Sequence, residues 1–368
     1  MKKLLVIAIA LTAINAQATR ARVSALANSP HLIDTATVYN NPADMHWLGG
    51  DYVNIETGAT DTFATPANAP TNGEGMVVRG MGDAKMGLSL GHQSANASAS
   101  GLRSNVIGGV VVAAMTPFAK NQQNPLELSY GVKTGDMGWA ATLVYSNYND
   151  KVASNKESSL GLRLGARTGN WDAALRLGLT NTVEIAASGK YTGTLGIGAN
   201  AGYMWEQIYF NGALGLSGFK VENTAGVEQL KFDNQTIRLG AMTTVKKDGS
   251  EFFYGVSLLQ SNSKETVSDT KITSLGLPVF IGVEADAASW LTLRASVTQT
   301  TQLMHNSKTE SAGTTAAELA PGTGDTTVAA GAGLKFNKVT VDGTLQGSSN
   351  QQLNANNFLA QLGMTYMF

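Results

Sequence analysis

The 368-residue sequence contains no cysteine, so neither disulfides nor a thiolate metal site can hold its fold. Charge is scarce. Only 14% of residues are charged and the net charge is -1, which leaves no electrostatic case for nucleic acid or for a polybasic membrane patch. Long apolar runs are also missing. Past residue 18, Gly, Thr, Ser, Asn or Arg interrupts every apolar stretch within a few residues, and that excludes a bundle of transmembrane helices. The four histidines, His31, His46, His92 and His305, form no metal-spaced cluster with carboxylates or with one another. No GxSxG, P-loop or dinucleotide fingerprint is present, and strings such as Gly331-Ala332-Gly333 sit within alternating segments. Neither a cofactor nor an enzymatic activity is expected.

What the sequence does have begins with a leader. Lys2 and Lys3, the apolar stretch Leu4 to Ile14 and the small-residue site Ala16-Gln17-Ala18 read as a secretory signal cleaved before Thr19. Residues 19–50 do not read as a strand: Ala21 to Leu32 has partial helical spacing, and Asn41-Pro42-Ala43 breaks it. This segment is expected to be a plug or an intersubunit arm, ahead of one domain spanning residues 51–368.

From Leu126 onward, apolar side chains recur at every second position, the period of a strand with one face on an apolar medium and the other on a polar one. Leu160, Leu162, Leu164 and Ala166 alternate with Gly161, Arg163, Gly165 and Arg167. The same reading covers Leu175, Leu177 and Leu179; Tyr191, Leu195, Ile197, Ala199 and Tyr203; Ile237, Leu239 and Ala241; and Ile281 with Val283. Between these segments short and long links alternate: Thr134 to Gly138, then Tyr148 to Lys156; Thr168 to Asn170, then Asn181 to Lys190; Met204 to Glu206, then Gly218 to Gln235. The series runs on through Lys246 to Ser250, Ser261 to Thr270, Asp286 to Ser289, Thr301 to Asp325, Asn337-Lys338 and Gly347 to Asn356. Short turns at one rim and long loops at the other predict an all-β, transmembrane, antiparallel up-and-down β-barrel with periplasmic turns and extracellular loops. About sixteen strands are expected, with fourteen and eighteen open. Of four weaker N-terminal candidates, Tyr52 to Thr57, Met76 to Gly80, Ala84 to Gly91 and Asn105 to Met115, three are needed to span.

The last segment is the most specific. Phe358, Ala360, Leu362, Met364, Tyr366 and the terminal Phe368 alternate with Leu359, Gln361, Gly363, Thr365 and Met367, and this resembles the C-terminal strand that the barrel assembly machinery reads. Tyr366 and Phe368 are the expected assembly signal. Trp139, Tyr148, Trp171, Trp205, Tyr209, Phe252, Trp290 and Phe336 sit near segment ends, where amphipathic rings meet the two bilayer interfaces. The lipid phase turns Lys85, Lys133, Arg163, Arg167, Arg176, Arg238, Arg294 and Lys335 inward, with Glu127, Asp172, Glu284 and Asp342. Such a lumen is wet and biased toward cations, and charged rings set ion preference in pores.

Two resemblances bear on function. Ala25-Leu26-Ala27-Asn28 through Tyr39-Asn40-Asn41-Pro42-Ala43 looks like the N-terminal region of the long-chain fatty-acid transporter superfamily of outer-membrane barrels. Ala21-Arg22-Val23-Ser24-Ala25-Leu26 and Asn28-Ser29-Pro30-His31-Leu32-Ile33-Asp34, together with the chain length and the terminal Phe, are similar to the porin-like major outer-membrane proteins of predatory bacteria. That resemblance implies an outer-membrane protein that self-associates into a ring of barrels, in some members enclosing membrane lipid. The expected role is a porin-like passive route for small solutes or an abundant structural component, with outer-membrane lipids as partners. A hydrophobic-solute transporter, or an adhesin or receptor acting through Thr301 to Asp325, are the alternatives. Inward Leu, Phe and Met would favour the transporter, but the inward sets read mostly as Gly, Ser, Thr and Arg.

Overall fold

The computed structural model describes residues 19–60, 71–92, 118, 124–267, 269–309, 318–319, 325–348 and 361–368. Alternating segments become strands of one antiparallel sheet. The first four are β1 (Tyr52–Thr60), β2 (Thr71–Met81), β3 (Ala84–Leu90) and β4 (Leu126–Thr134). Then come β5 (Met137–Asp150), β6 (Asn155–Arg167), β7 (Trp171–Ile185), β8 (Gly189–Gly193), β9 (Gly196–Trp205) and β10 (Ile208–Glu222). The rest are β11 (Glu228–Lys247), β12 (Ser250–Glu265), β13 (Thr270–Ala288), β14 (Leu291–Thr309), β15 (Glu318–Leu319), β16 (Asp325–Phe336), β17 (Val339–Ser348) and β18 (Gln361–Met367).

β8 and β9 lie end to end between β7 and β10, and β15 pairs only with β14 near its far end. The wall therefore has sixteen strand positions. It closes where β18 meets β1, with Tyr52 opposite Met367 and Glu56 opposite Gly363. Closure satisfies the ladder that an open sheet would leave bare in lipid. Tight turns mark one rim. Asp248-Gly249, both left-handed at φ 46° and 76°, form a two-residue hairpin between β11 and β12, the conformation whose twist matches the flanking strands.

Three of the weak N-terminal candidates become β1, β2 and β3. Asn105 to Met115 lies outside the described residues, and the ring closes without it. The links read as long loops are partly strand: β7 runs to Ile185, β11 starts at Glu228, β12 reaches Glu265 and β14 reaches Thr309. Above the apolar belt these segments lose their outward hydrophobic alternation, because the outer face is wet, yet the ladder continues.

One phase assignment reverses. Alternation puts Tyr191 on the outer face with Leu195, but the chain leaves the ladder of β7 at Thr194-Leu195, and Tyr191 turns inward and is fully buried while Leu195 stays outside. Tyr209 is also corrected: it is not an interface ring but points into the lumen, where its hydroxyl donates to Asp172 at 2.6 Å.

Residues 19–50 lie inside the ring near the short-turn rim, contacting strands all around it. They contain a short helix α1 (Arg20–Ala25) and two 3-10 turns, Ala36–Tyr39 and Pro42–His46. Asn41 caps the second turn by accepting the Ala43 N–H at 3.1 Å, with Pro42 at the first helical position. Leu26 and Leu32 pack on Tyr209, Met242, Phe253 and Phe280 of the wall. Val38, Tyr39, Ala43, Met45 and Leu48 pack on Tyr52, Met76, Val78 and Ala140. Full burial of side chains the size of Leu26 and Met45 favours docking by about 1.5–3 kcal/mol each. Glycine permits the close approach: a Cβ at Gly165 would collide with Asn41 and Pro42, and one at Gly363 with Thr19.

Candidate functional site in the plugged lumen

The inner face places polar side chains where the alternation leaves them, and the plug supplies partners. Arg22 donates to Glu284 at 2.8 and 2.9 Å and to Asp34 at 3.1 Å. Arg294 bridges Glu284 at 2.5 Å and Asp342 at 2.6 Å. The Arg20 backbone N–H donates to Glu56 at 2.7 Å, and its guanidinium pairs with Glu74. Across the lumen Arg167 holds Asp44 of the plug at 2.6 Å and Asp172 at 3.5 Å. Higher up, Glu127 accepts both Arg163 nitrogens at 2.6 and 2.8 Å and lies 2.7 Å from His92 Nδ1, while the His92 ring stacks on Tyr39.

The remaining expected lumen cations have different surroundings. Lys85 donates to the carbonyls of Met45, Leu48 and Gly50 at 2.7–3.1 Å. Lys133 lies over the Trp47 ring, 5.0 Å from its centroid. Lys335 reaches Asp286 at 3.0 Å. Arg176 touches Asn40 at 3.3 Å, and neither it nor Arg238 has a carboxylate within an ion pair among the described residues.

Sequence reasoning missed more than half of the anions. Glu56, Glu74, Glu157, Glu251 and Glu265 are buried or nearly so on the inner face, and Asp34 and Asp44 come from the plug. Glu265 lies in the link Ser261 to Thr270, Glu157 just past the link Tyr148 to Lys156, Glu56 in a weakly alternating candidate strand and Glu74 just ahead of another. Strand parity carried to the ends of the ladders would have found them. With these included the two signs are near balance, so any cation field must come from the unpaired residues. Burial outweighs the nearby guanidinium groups for the plug carboxyls: Asp34 is raised well above the ordinary carboxylate range, and Asp44 is pushed up to about 6 despite Arg167.

The inner wall is not uniformly polar. Toward the long-loop rim, Val183, Tyr191, Phe219, Val221, Leu230 and Phe232 form a buried apolar cluster with Phe118, which lies between β3 and β4. Alternation and link lengths place the wall members of this cluster in links or, for Tyr191, on the outer face, so the inward apolar set is not legible in the sequence. Outside, Tyr130, Trp139, Leu164, Leu175, Leu214 and Leu239 rim a hollow of about 1050 Å³ floored by alanines. Ile281, Leu293, Val297 and Tyr254 are half exposed on the outer face.

A closed antiparallel ring with an apolar outer face, a polar and charged lumen and tight turns at one rim defines a transmembrane β-barrel of the outer-membrane class. Solved structures of similar fold include OmpT of Vibrio cholerae, an outer-membrane protein, at 12% identity over 86% of this chain and 95% of that one, with a TM-score of 0.39. A FadL homologue of Pseudomonas aeruginosa is 12% identical over 95% of this chain and 98% of that one, with a TM-score of 0.45. An anion-selective porin from Comamonas acidovorans is 13% identical over 87% and 97%, with a TM-score of 0.38. No family model matches the chain, and no curated protein matches it.

Proposed function

We propose that this chain is a porin-like barrel of the outer membrane that self-associates and offers small anionic solutes a passive route, acting as a conduit rather than an enzyme. The observation that carries the reading is the pair Arg176 and Arg238, inward-facing arginines without a carboxylate partner among the described residues, whereas Arg163, Arg167 and Arg294 are paired. Unpaired cations lower the barrier for small ions of opposite charge. Self-association is supported by the apolar hollow over β4–β11, a concave face whose Ala141, Ala173 and Ala201 leave room for a ridge of a neighbouring copy or for lipid held between copies.

Planar-bilayer recordings test the conduit. The purified protein should conduct with a preference for chloride over potassium, and Arg176→Gln with Arg238→Gln should remove most of that preference while leaving a heat-modifiable barrel. Silent bilayers would overturn the pore and leave a structural role. A second reading, transport of a hydrophobic solute, is favoured by the inward cluster around Phe219 and Phe232. Saturable binding of a long-chain amphiphile, lost in Phe219→Asn, would put that reading first.

A further inference from the structure

The plug begins at an unusual place. Thr19 is fully buried in the lumen against Gly363 of β18, and the Ala21 carbonyl accepts the Thr344 hydroxyl of β17. The Thr19 backbone N–H is directed at the carboxylate of Asp342. Around it the hydrogen-bonding accounts do not close: Thr19 Oγ1, Glu56 Oε1, Glu74 Oε2 and Asp342 Oδ2 are buried without a partner, and so are the donors Arg20 Nε and Arg294 Nη2. Buried polar atoms left without partners are costly enough that native structures rarely keep them.

We infer that this cluster is a binding site for the protein's own α-ammonium group, created when the leader is cleaved before Thr19. In the precursor that position is a peptide nitrogen with a single hydrogen and no charge. Hydrolysis of the Ala18–Thr19 bond consumes one water, leaves the carboxylate on Ala18, and converts the nitrogen into an ammonium with three hydrogens and a positive charge. One hydrogen keeps the direction toward Asp342. The other two serve the free oxygens of Asp342 and Glu56, the latter only one peptide unit away through its contact with the Arg20 N–H. Processing thereby does more than release the chain. It makes the ammonium that seats the plug, so an unprocessed chain lacks the donors for these oxygens.

The inference rests on cleavage before Thr19, which is separately measurable: intact mass of protein from outer membranes should give a chain starting at Thr19, and any other start overturns the processing assumption by itself. The site is then tested on refolded mature chains with three N-termini, free Thr19, Nα-acetylated Thr19 and a Gly-Ser extension. An amine-acylating reagent at neutral pH, read by mass spectrometry on the N-terminal peptide, should modify the free α-amine at least a hundredfold more slowly in the folded barrel than in urea. Trypsin cleavage after Arg20 and Arg22 should rise about tenfold in the acetylated and extended chains while the barrel stays heat-modifiable. Asp342→Asn should give the same rise in the free-amine chain and no further rise in the acetylated one. An α-amine equally reactive in folded and unfolded protein, or trypsin rates indifferent to the N-terminal group, would overturn the site; the acetylated chain keeps that outcome readable should Asp342→Asn not fold.

Discussion

Glu127 is 2% exposed and is held by two nitrogens of Arg163, itself 4% exposed, so the pair is one buried unit rather than two lumen charges. Removing one member strands the other: Glu127→Ala should cost about 3–5 kcal/mol, measured by urea unfolding in detergent, while Glu127→Ala with Arg163→Met should recover much of it. An unchanged midpoint in the single variant would contradict the pairing. Asp44 supports a pH prediction. Its folded carboxyl titrates near 6, above its ordinary 3.8, because burial disfavours the charge. Between those values the docked plug binds more protons than the released one, so this group's contribution to docking is complete at the acid end and is lost as pH rises to about 6. Tryptic release of the plug should therefore increase from pH 5 to pH 7, and Asp44→Asn should flatten the dependence; a wild-type rate that falls over that range would refute the assignment.

At the scale of elements, the wall strands carry their phase through the bilayer, and Leu293 on β14 and Ile281 on β13 are half exposed on the outer side. Val297→Arg on the lipid face should destabilise the barrel by about 2–4 kcal/mol in lipid, against little change for Thr298→Arg, its neighbour on the lumen face. Equal effects would mean that the faces of β14 are misassigned. Element by element, the sequence was informative where alternation was clean, as in β6 and β18. It was uninformative where the ladder ran above the apolar belt, and misleading at Tyr191, where a local break between β8 and β9 reversed the faces without changing the spacing of apolar residues.

For the whole molecule, closure depends on the last strand finding the first. Phe368 extends that pairing, its N–H donating to the Asp51 carbonyl at 3.0 Å, while its ring meets Tyr366 edge to face on the lipid side. Tyr366→Asp with Phe368→Asp should abolish insertion, read as loss of the heat-modifiable band in outer-membrane fractions. A normal band would show that closure tolerates charge at this seam. The plug contributes to the same closure from within, because α1 lies against β14, β16, β17 and β18, next to the seam.

The barrel class, the inward or outward sense of most strands and the tight turns were determined by the sequence itself, because a two-residue period and a Gly- or Asn-containing turn are local properties that need no partner to be read. The seating of residues 19–50, the pairing of lumen charges and the inward apolar cluster were decided only by the tertiary structure. Arg22 and Glu284 are 262 residues apart, and Arg167 meets Asp44 across 123. Alternation says which way a side chain points; what it meets across the lumen depends on the curvature and closure of the whole ring, which no single segment contains.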